Sequence, residues 1–408
     1  MIRIHPRFAV LAIVSASLTN PAWADAVTDW NAKVGEIILE TKVPTPVANR
    51  ALAITQTAVY EAVNAITRRY PASGLKLKSA RDASIEAAVA AVNRAVFSKL
   101  APAQQASIDR AYETALAAIA DGPAKASGIA VGEKAAAAIM AQRADDGMGI
   151  VETYRPYTSA GKYVPTVLPV ASQWSQRKPW FLTSASQFRP GPPPALTSDI
   201  WARDFEEVKA IGSKNSTRRT AEQTQIARFW EATAPPIYHG LVRSVANAPG
   251  RDVTQNARLF AAVTQAAEDA LIAVFDAKYH YGFWRPITAI RNADIDENDA
   301  TARDPSWAPF IDTPMHPEYP CAHCIVSGAI GAVLQADIGS GRMPTLTTSS
   351  YTAEGAARSW ANLEEFMQEV ANARIYDGVH YRNSAEVGTA MGKQVGQLAV
   401  AKFLQPSK

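Results

Sequence analysis

Apolar residues in this chain recur at helical spacing over segment after segment, and the alternation that marks half-buried strands is almost absent. A chain patterned in this way can bury its apolar stripes only by packing helix against helix, so an all-α fold is expected. Asn49 to Arg68 is representative, with Ala53, Thr57, Val59, Tyr60, Val63 and Ile66 on or near one face. Ala83 to Leu100 and Ala103 to Ile119 follow. After the break at Gly122-Pro123 comes an alanine-rich helix from Ser127 to Ala144. Together these suggest an N-terminal helical bundle over residues 25–150. Residues 151–196 carry Pro156, Pro165, Pro169, Pro179, Pro190, Pro192, Pro193 and Pro194, and read as a long proline-rich connection over the surface. Trp174, Trp180, Phe181 and Phe188 are expected to pin it down, and it could cover an active-site mouth. Helical spacing resumes at 197–408, the second bundle. The expected helices are Asp199 to Ile211, Thr220 to Trp230, Thr254 to Phe275, Ala322 to Leu334, Ala353 to Asn372 and Ala385 to Phe403, with Ser198 and Thr220 as N-caps.

Residues 1–24 have the make-up of a secretion signal: Arg3 and Arg7, an apolar centre from Phe8 to Leu18, and Ala22-Trp23-Ala24 as a cleavage site. Export into a bacterial periplasm is therefore expected. After this segment no apolar run is long enough for stable insertion into a bilayer. A formal net charge of +3 over 408 residues gives no field suited to nucleic acid. The expected partners are small molecules, and an oligomer is compatible with the composition.

Three clusters carry the chemistry. The first is Met315-His316-Pro317-Glu318-Tyr319-Pro320-Cys321-Ala322-His323-Cys324, a rigid extended approach to a helix of small apolar residues. It places Cys321, Ala322 and His323 at a helix N-terminus, where free N–H groups favour an anion and a histidine can move protons beside it. Cys321 and Cys324, the chain's two cysteines, could pair or act as a redox couple in an oxidising compartment. A second metal-binding pair is missing, and so is the strand that a thioredoxin-like site would need. The second cluster runs from Lys278 to Pro286, with four aromatic residues between Lys278 and Arg285. Seven residues apart, the two cations would share a face if the helix ran through Gly282, and the aromatics argue for burial. The third is Arg374-Ile375-Tyr376-Asp377-Gly378-Val379-His380, in which a turn at Asp377-Gly378 could bring Arg374 and His380 to one point. Three cations, two imidazoles and a helix N-terminus suit a tetrahedral oxyanion such as phosphate or vanadate.

The ordered pattern Lys278…Arg285-Pro286, Pro320-Cys321-Ala322-His323 and Arg374…His380 resembles the vanadium-dependent haloperoxidases and the related type 2 phosphatidic acid phosphatases. The likeness is close over about residues 269–390, and 187–194 and 227–230 resemble the bacterial haloperoxidase-related branch. The resemblance implies a vanadate cofactor with His380 as axial ligand, or, in a phosphatase without vanadium, as the phosphorylated nucleophile. It further implies that Lys278, Arg285, Arg374 and the Cys321-Ala322 segment hold the oxygens, Ala322 through its backbone N–H, and that His323 is the acid–base group. His316, which is histidine in bromoperoxidases, and Phe275, which is tryptophan in chloroperoxidases, would face the halide. Bromide or iodide oxidation by hydrogen peroxide is the leading expectation. An acid phosphatase with a phosphohistidine intermediate comes second, and a non-catalytic oxyanion-binding protein third. Two departures bear on the choice. Cys321-Ala322 stands where the family has Ser-Gly, offering a weak, oxidisable donor. Ser384 stands where the phosphatases carry an aspartate behind the nucleophile.

Overall fold

The computed structural model describes residues 25–404, apart from 72–74, 76, 79 and 80. The expected signal segment 1–24 lies outside the described residues. The fold is mostly helical, as the periodicity implies, in two bundles of which the C-terminal one carries the clustered cations. In the first, α1 (Ala26–Thr41), α2 (Thr45–Thr67), α3 (Ile85–Leu100), α4 (Gln105–Ala117) and α5 (Pro123–Gln142) pack together. The second holds α6 (Asp199–Ile211), α7 (Ala221–Phe229), α8 (Pro235–Ala246), α9 (Val253–Tyr281), α10 (Pro286–Arg291), α11 (Ala322–Ile338), α12 (Leu363–Tyr376) and α13 (Arg382–Ala399).

Helix α9 is the axis. Its 29 residues span about 44 Å at 1.5 Å per residue. Asp252 caps its start by accepting the N–H groups of Thr254 and Gln255, while the Gln255 side chain accepts the Asp252 N–H in return. It is buried almost throughout, against α2 on one side and α11 and α13 on the other. Its true end is Gly282, at φ +58°, beyond the Phe275 expected from periodicity. Lys278 is thus in the last turn of α9 and Arg285 caps α10, so the two cations do not share one continuous helix.

Helices α11 and α13 approach backbone to backbone. A methyl group added at Gly392 would lie 2.2 Å from the Ile325 carbonyl, and one at Gly388 would lie 2.7 Å from that of Cys321. That seam seats the N-terminus of α11 against the segment leading into α13, which carries His380.

Two expectations need correction. The segment expected to be helical from Ala353 instead forms a hairpin, β1 (Leu346–Ser349) antiparallel to β2 (Ala357–Trp360), and α12 starts only at Leu363, where Asn362 supplies the cap. Its turn uses Glu354 and Gly355, both at positive φ, which the alanines around them conceal. Helices α1, α8 and the short α10 went unmarked. The connection at 151–196 is pinned by its aromatics as expected, Trp174 and Phe181 buried in the main core and Trp180 and Phe188 packed against it, and acids on α9 hold it as well. Asp269 accepts the N–H groups of Trp180, Phe181 and Leu182, Glu268 accepts the Trp180 indole, and Asp276 forms two bonds with Arg189.

Candidate active site

The turn between α12 and α13 decides whether the third cluster can work. Gly378 adopts φ +78°, and a side chain there would strike the Gly212 carbonyl at 2.3 Å. This turn lets the N–H groups of Val379 and His380 both reach back to the Arg374 carbonyl, 3.2 Å each. Arg374 and His380 are consequently brought to one buried region despite their non-helical spacing.

Lys278, Arg285 and His380 meet there. Arg285 Nη1 lies 2.7 Å from the Val379 carbonyl and 3.2 Å from His380 Nε2. Its Nε and Nη2 donate to the carbonyl and Nδ1 of His316, at 2.9 and 3.0 Å. Lys278 Nζ donates to the carbonyls of Pro317 and Glu318, at 2.9 and 2.8 Å. Arg374 uses only Nη1, on the Trp230 carbonyl and Asp377, while its buried Nε and Nη2 have no partner. His323 is on the first turn of α11 beside Thr233, whose hydroxyl is 3.0 Å from either ring nitrogen. The Phe275 and His316 rings meet edge to face at 5.3 Å.

The residue that sequence reasoning missed is Glu318. Its Oε1 is 2.7 Å from His380 Nδ1 and also accepts the Tyr381 N–H at 3.1 Å. A carboxylate at Nδ1 keeps the proton there and turns an unprotonated Nε2 toward the cations. Ser384, at 3.4 Å, is a weaker contact. Glu318 thus supplies a carboxylate at the same ring nitrogen that Ser384 contacts, where the phosphatases' aspartate is lacking. Its one signal in the sequence is an acid set between two prolines in an otherwise uncharged approach. Asp377, the partner of Arg374, was read only as a turn former.

A family model of the VCPO second helical-bundle domain matches residues 258–407. A vanadium chloroperoxidase from Curvularia inaequalis is 27% identical over 183 residues, 37% of this chain and 29% of that protein's length. The structure of the first bacterial vanadium-dependent iodoperoxidase superposes with a TM-score of 0.78 at 27% identity, covering 94% of this chain and 97% of that one. An apo-type bacterial vanadium-dependent chloroperoxidase, 18% identical, shares the fold with a TM-score of 0.70 over 87% and 92% of the two chains. The second bundle thus resembles the vanadium haloperoxidases in sequence, and nearly the whole chain resembles them in fold.

The electrostatics of the site are those of an anion cradle. Burial, then the neighbouring Arg285, holds the Lys278 ammonium well below its usual pKa, and burial brings the Arg285 guanidinium down to about 10. His380 and His323 are likewise depressed by burial first, followed by Arg285 for His380 and Arg374 for His323. Each of these groups is penalised for its positive charge because no sufficient negative charge faces it. Burial raises Glu318 and Asp377 to about 7 even though Arg285 and Lys278 flank one and Arg374 the other. A bound oxyanion would reverse these penalties, and the unpartnered Arg374 nitrogens and the start of α11 are suited to receive it. The donor set therefore fits vanadate or phosphate.

Cys321 leaves that donor set. It is joined to Cys324 in a disulfide, with its Sγ accepting the Cys324 N–H at 3.2 Å, so it has no thiol hydrogen to give. Ala322 remains through its backbone. The disulfide also answers the objection of an oxidisable thiol, because neither cysteine is free. Among the described residues no group of His, Cys, Asp and Glu could hold a metal ion by side chains alone, and no helix is long and apolar enough to cross a membrane.

Proposed function

We propose that this protein is a vanadate-dependent haloperoxidase that oxidises bromide or iodide with hydrogen peroxide after export to the periplasm. The observation carrying this reading is the fully buried Arg374, which keeps two donors unpartnered beside Lys278, Arg285 and a neutral His380. When bound, vanadate supplies a Lewis acid that activates peroxide toward halide. His380 Nε2 would be the protein's donor to vanadium, oriented by Glu318 through Nδ1. Lys278, Arg285, Arg374 and the Ala322 N–H would hold its oxygens. His323, depressed and neutral, takes and returns the proton that peroxide must lose and water must gain. His316, tied to Arg285 and backed by Phe275, lines the halide side. That choice of side chain, with the likeness to an iodoperoxidase, favours a readily oxidised halide.

Loading the protein with vanadate and following triiodide or bromination with peroxide tests the proposal. Activity that appears only with vanadate supports it, and none under any loading overturns it. The Glu318–His380 pair favours a second reading, an acid phosphatase, because the same contact would orient a nucleophilic imidazole. Release of p-nitrophenol from its phosphate ester in vanadate-free protein, without any halide oxidation, would put that reading first.

A further inference from the structure

The Cys321–Cys324 disulfide closes the first turn of α11, joining the N-cap to the third residue of the helix around Ala322 and His323. These two are the residues that the oxyanion reading places at the anion, Ala322 through its N–H and His323 through its ring. On either side of them the N–H groups are taken within the chain: that of Cys321 donates to the Ser384 carbonyl and that of Cys324 to Cys321 Sγ, both at 3.2 Å. The N–H groups of Ala322 and His323 have no partner among the described residues. A first turn is ordinarily the loosest part of a helix, since few intrahelical bonds fix it. Here a covalent link fixes it, in a place with little slack. Both cysteines are fully buried, in a small apolar cluster with Ala371 and Ala385. A methyl group at Gly388 of α13 would lie 3.1 Å from Cys324 Cβ and 3.3 Å from Cys321 Cβ. Two thiols keep van der Waals distance where bonded sulfurs do not, so opening the bond pushes the turn against α13. That helix follows directly on His380, whose Nδ1 lies 3.4 Å from Ser384 Oγ.

We propose that this disulfide positions the oxyanion-binding turn, so that affinity for the anion depends on the bond being closed. The inference rests on the oxyanion reading of the site, which a haloperoxidase and a phosphatase share. Closed, the bond holds the free N–H groups of Ala322 and His323 in place before the anion arrives, and binding then costs no further ordering of the turn. Open, the turn must be ordered at the expense of affinity. A competing effect has the opposite sign: opening the bond gives Cys321 back a thiol hydrogen to donate. A thiol is a weak donor, so the loss of ordering prevails. Cys321 and Cys324 are thus positioning residues, acting through the backbone and the imidazole of the pair they enclose.

Calorimetric titration with inorganic phosphate tests this, phosphate being the probe because a reductant would also reduce vanadate. The oxidised parent is compared with the parent unfolded and refolded in a water-soluble phosphine, and with Cys324→Ala. The phosphine opens the bond by giving the two sulfurs two electrons; with two protons from water they become thiols, and the phosphine takes the oxygen as its oxide. The oxidised parent should bind phosphate, and the two open forms should bind it at least roughly tenfold more weakly. Cys324→Ala should behave alike with and without phosphine, because the chain has no other cysteine with which Cys321 could pair. Melting temperatures separate positioning from a purely structural role. A folded open form with the parent's affinity, or a higher one, overturns the inference however far its melting temperature has dropped. Failure of both open forms to fold also overturns it, since the bond would then be a requirement of the fold. No phosphate binding by the oxidised parent would remove the oxyanion reading itself, and the inference with it.

Discussion

Two buried clusters of arginine in this protein look alike in the sequence and differ in what faces them. One lies where the proline-rich connection meets α9. There Arg50, Arg143 and Arg177 surround Asp146 and Glu268: Asp146 Oδ2 is 2.7 Å from Arg50 Nε and 2.6 Å from Arg177 Nη2, and Glu268 Oε1 is 3.7 Å from Arg143. Burial pushes Asp146 up, yet the bond from Arg50 and the charges of Arg177 and Arg143 prevail and leave its pKa below the ordinary value. The other cluster is the candidate site, where Glu318 and Asp377 stay raised and the cations stay depressed. In the first, Asp146, Glu268 and Asp269 from the chain itself face the three guanidinium groups, although burial still raises Glu268 and lowers Arg177. In the second, part of that charge awaits something from outside. Buried charge with internal partners holds a fold together, whereas buried charge in excess marks a ligand.

Substitutions at the two clusters should therefore fail in opposite ways. His380→Ala should lower vanadate-dependent halide oxidation by on the order of a thousandfold or more. Its melting temperature without vanadate should stay close to that of the parent. Asp146→Asn strips the carboxylate from three guanidinium groups and should cost about 3–5 kcal/mol of stability, read by denaturant unfolding. Activity per folded molecule should be unchanged. Asp146→Asn that loses activity but not stability would dissolve the contrast between the clusters.

How much of this was legible follows from which signals are local. Helical period and cap chemistry are local, so Ser198 and Thr220 could be read as caps, and both side chains accept the expected N–H three residues on. The hairpin at 346–360 was misread because four-residue strands give too little alternation, while Ala353, Ala356 and Ala357 look helical. In the site, Lys278, Arg285, His323, Arg374 and His380 could be named because their types and order suit an oxyanion. Glu318 could not, since its partner His380 lies 62 residues on and a lone acid carries no period. The state of the cysteines also depended on geometry, because C-x-x-C at a helix start is compatible with a thiol pair or a disulfide.

Glu318 offers the next test in size, since it decides whether an acid in the site is a counter-charge or a positioning group. Glu318→Ala should weaken vanadate binding roughly 10–100-fold, the usual consequence of removing the partner that orients a ligating histidine. Glu318→Gln, which keeps an acceptor for Nδ1, should recover part of that loss in a titration followed by vanadium NMR. A pure counter-charge predicts the reverse: removing an acid from a cationic cradle would tighten the anion in both variants.

The smallest effect separates burial from site electrostatics. His239 is a buried imidazole far from the oxyanion cluster, with its Nδ1 accepting from Asn31 at 2.8 Å and Arg243 as its charged neighbour. Burial, then Arg243, lowers its pKa from 6.5 to about 3. The unfolded chain therefore binds a proton that the folded one refuses, so the contribution of His239 is complete above about 6.5 and is lost as the pH falls toward 3. The loss should be about 1.4 kcal/mol for each pH unit in that window. Between pH 7.5 and 5.5 the parent should lose more stability than His239→Gln, by about that amount, in paired denaturant titrations. Adding vanadate should shift both curves alike, because His239 faces no part of the oxyanion site. A vanadate-dependent difference between them would mean that the two buried imidazole environments are coupled.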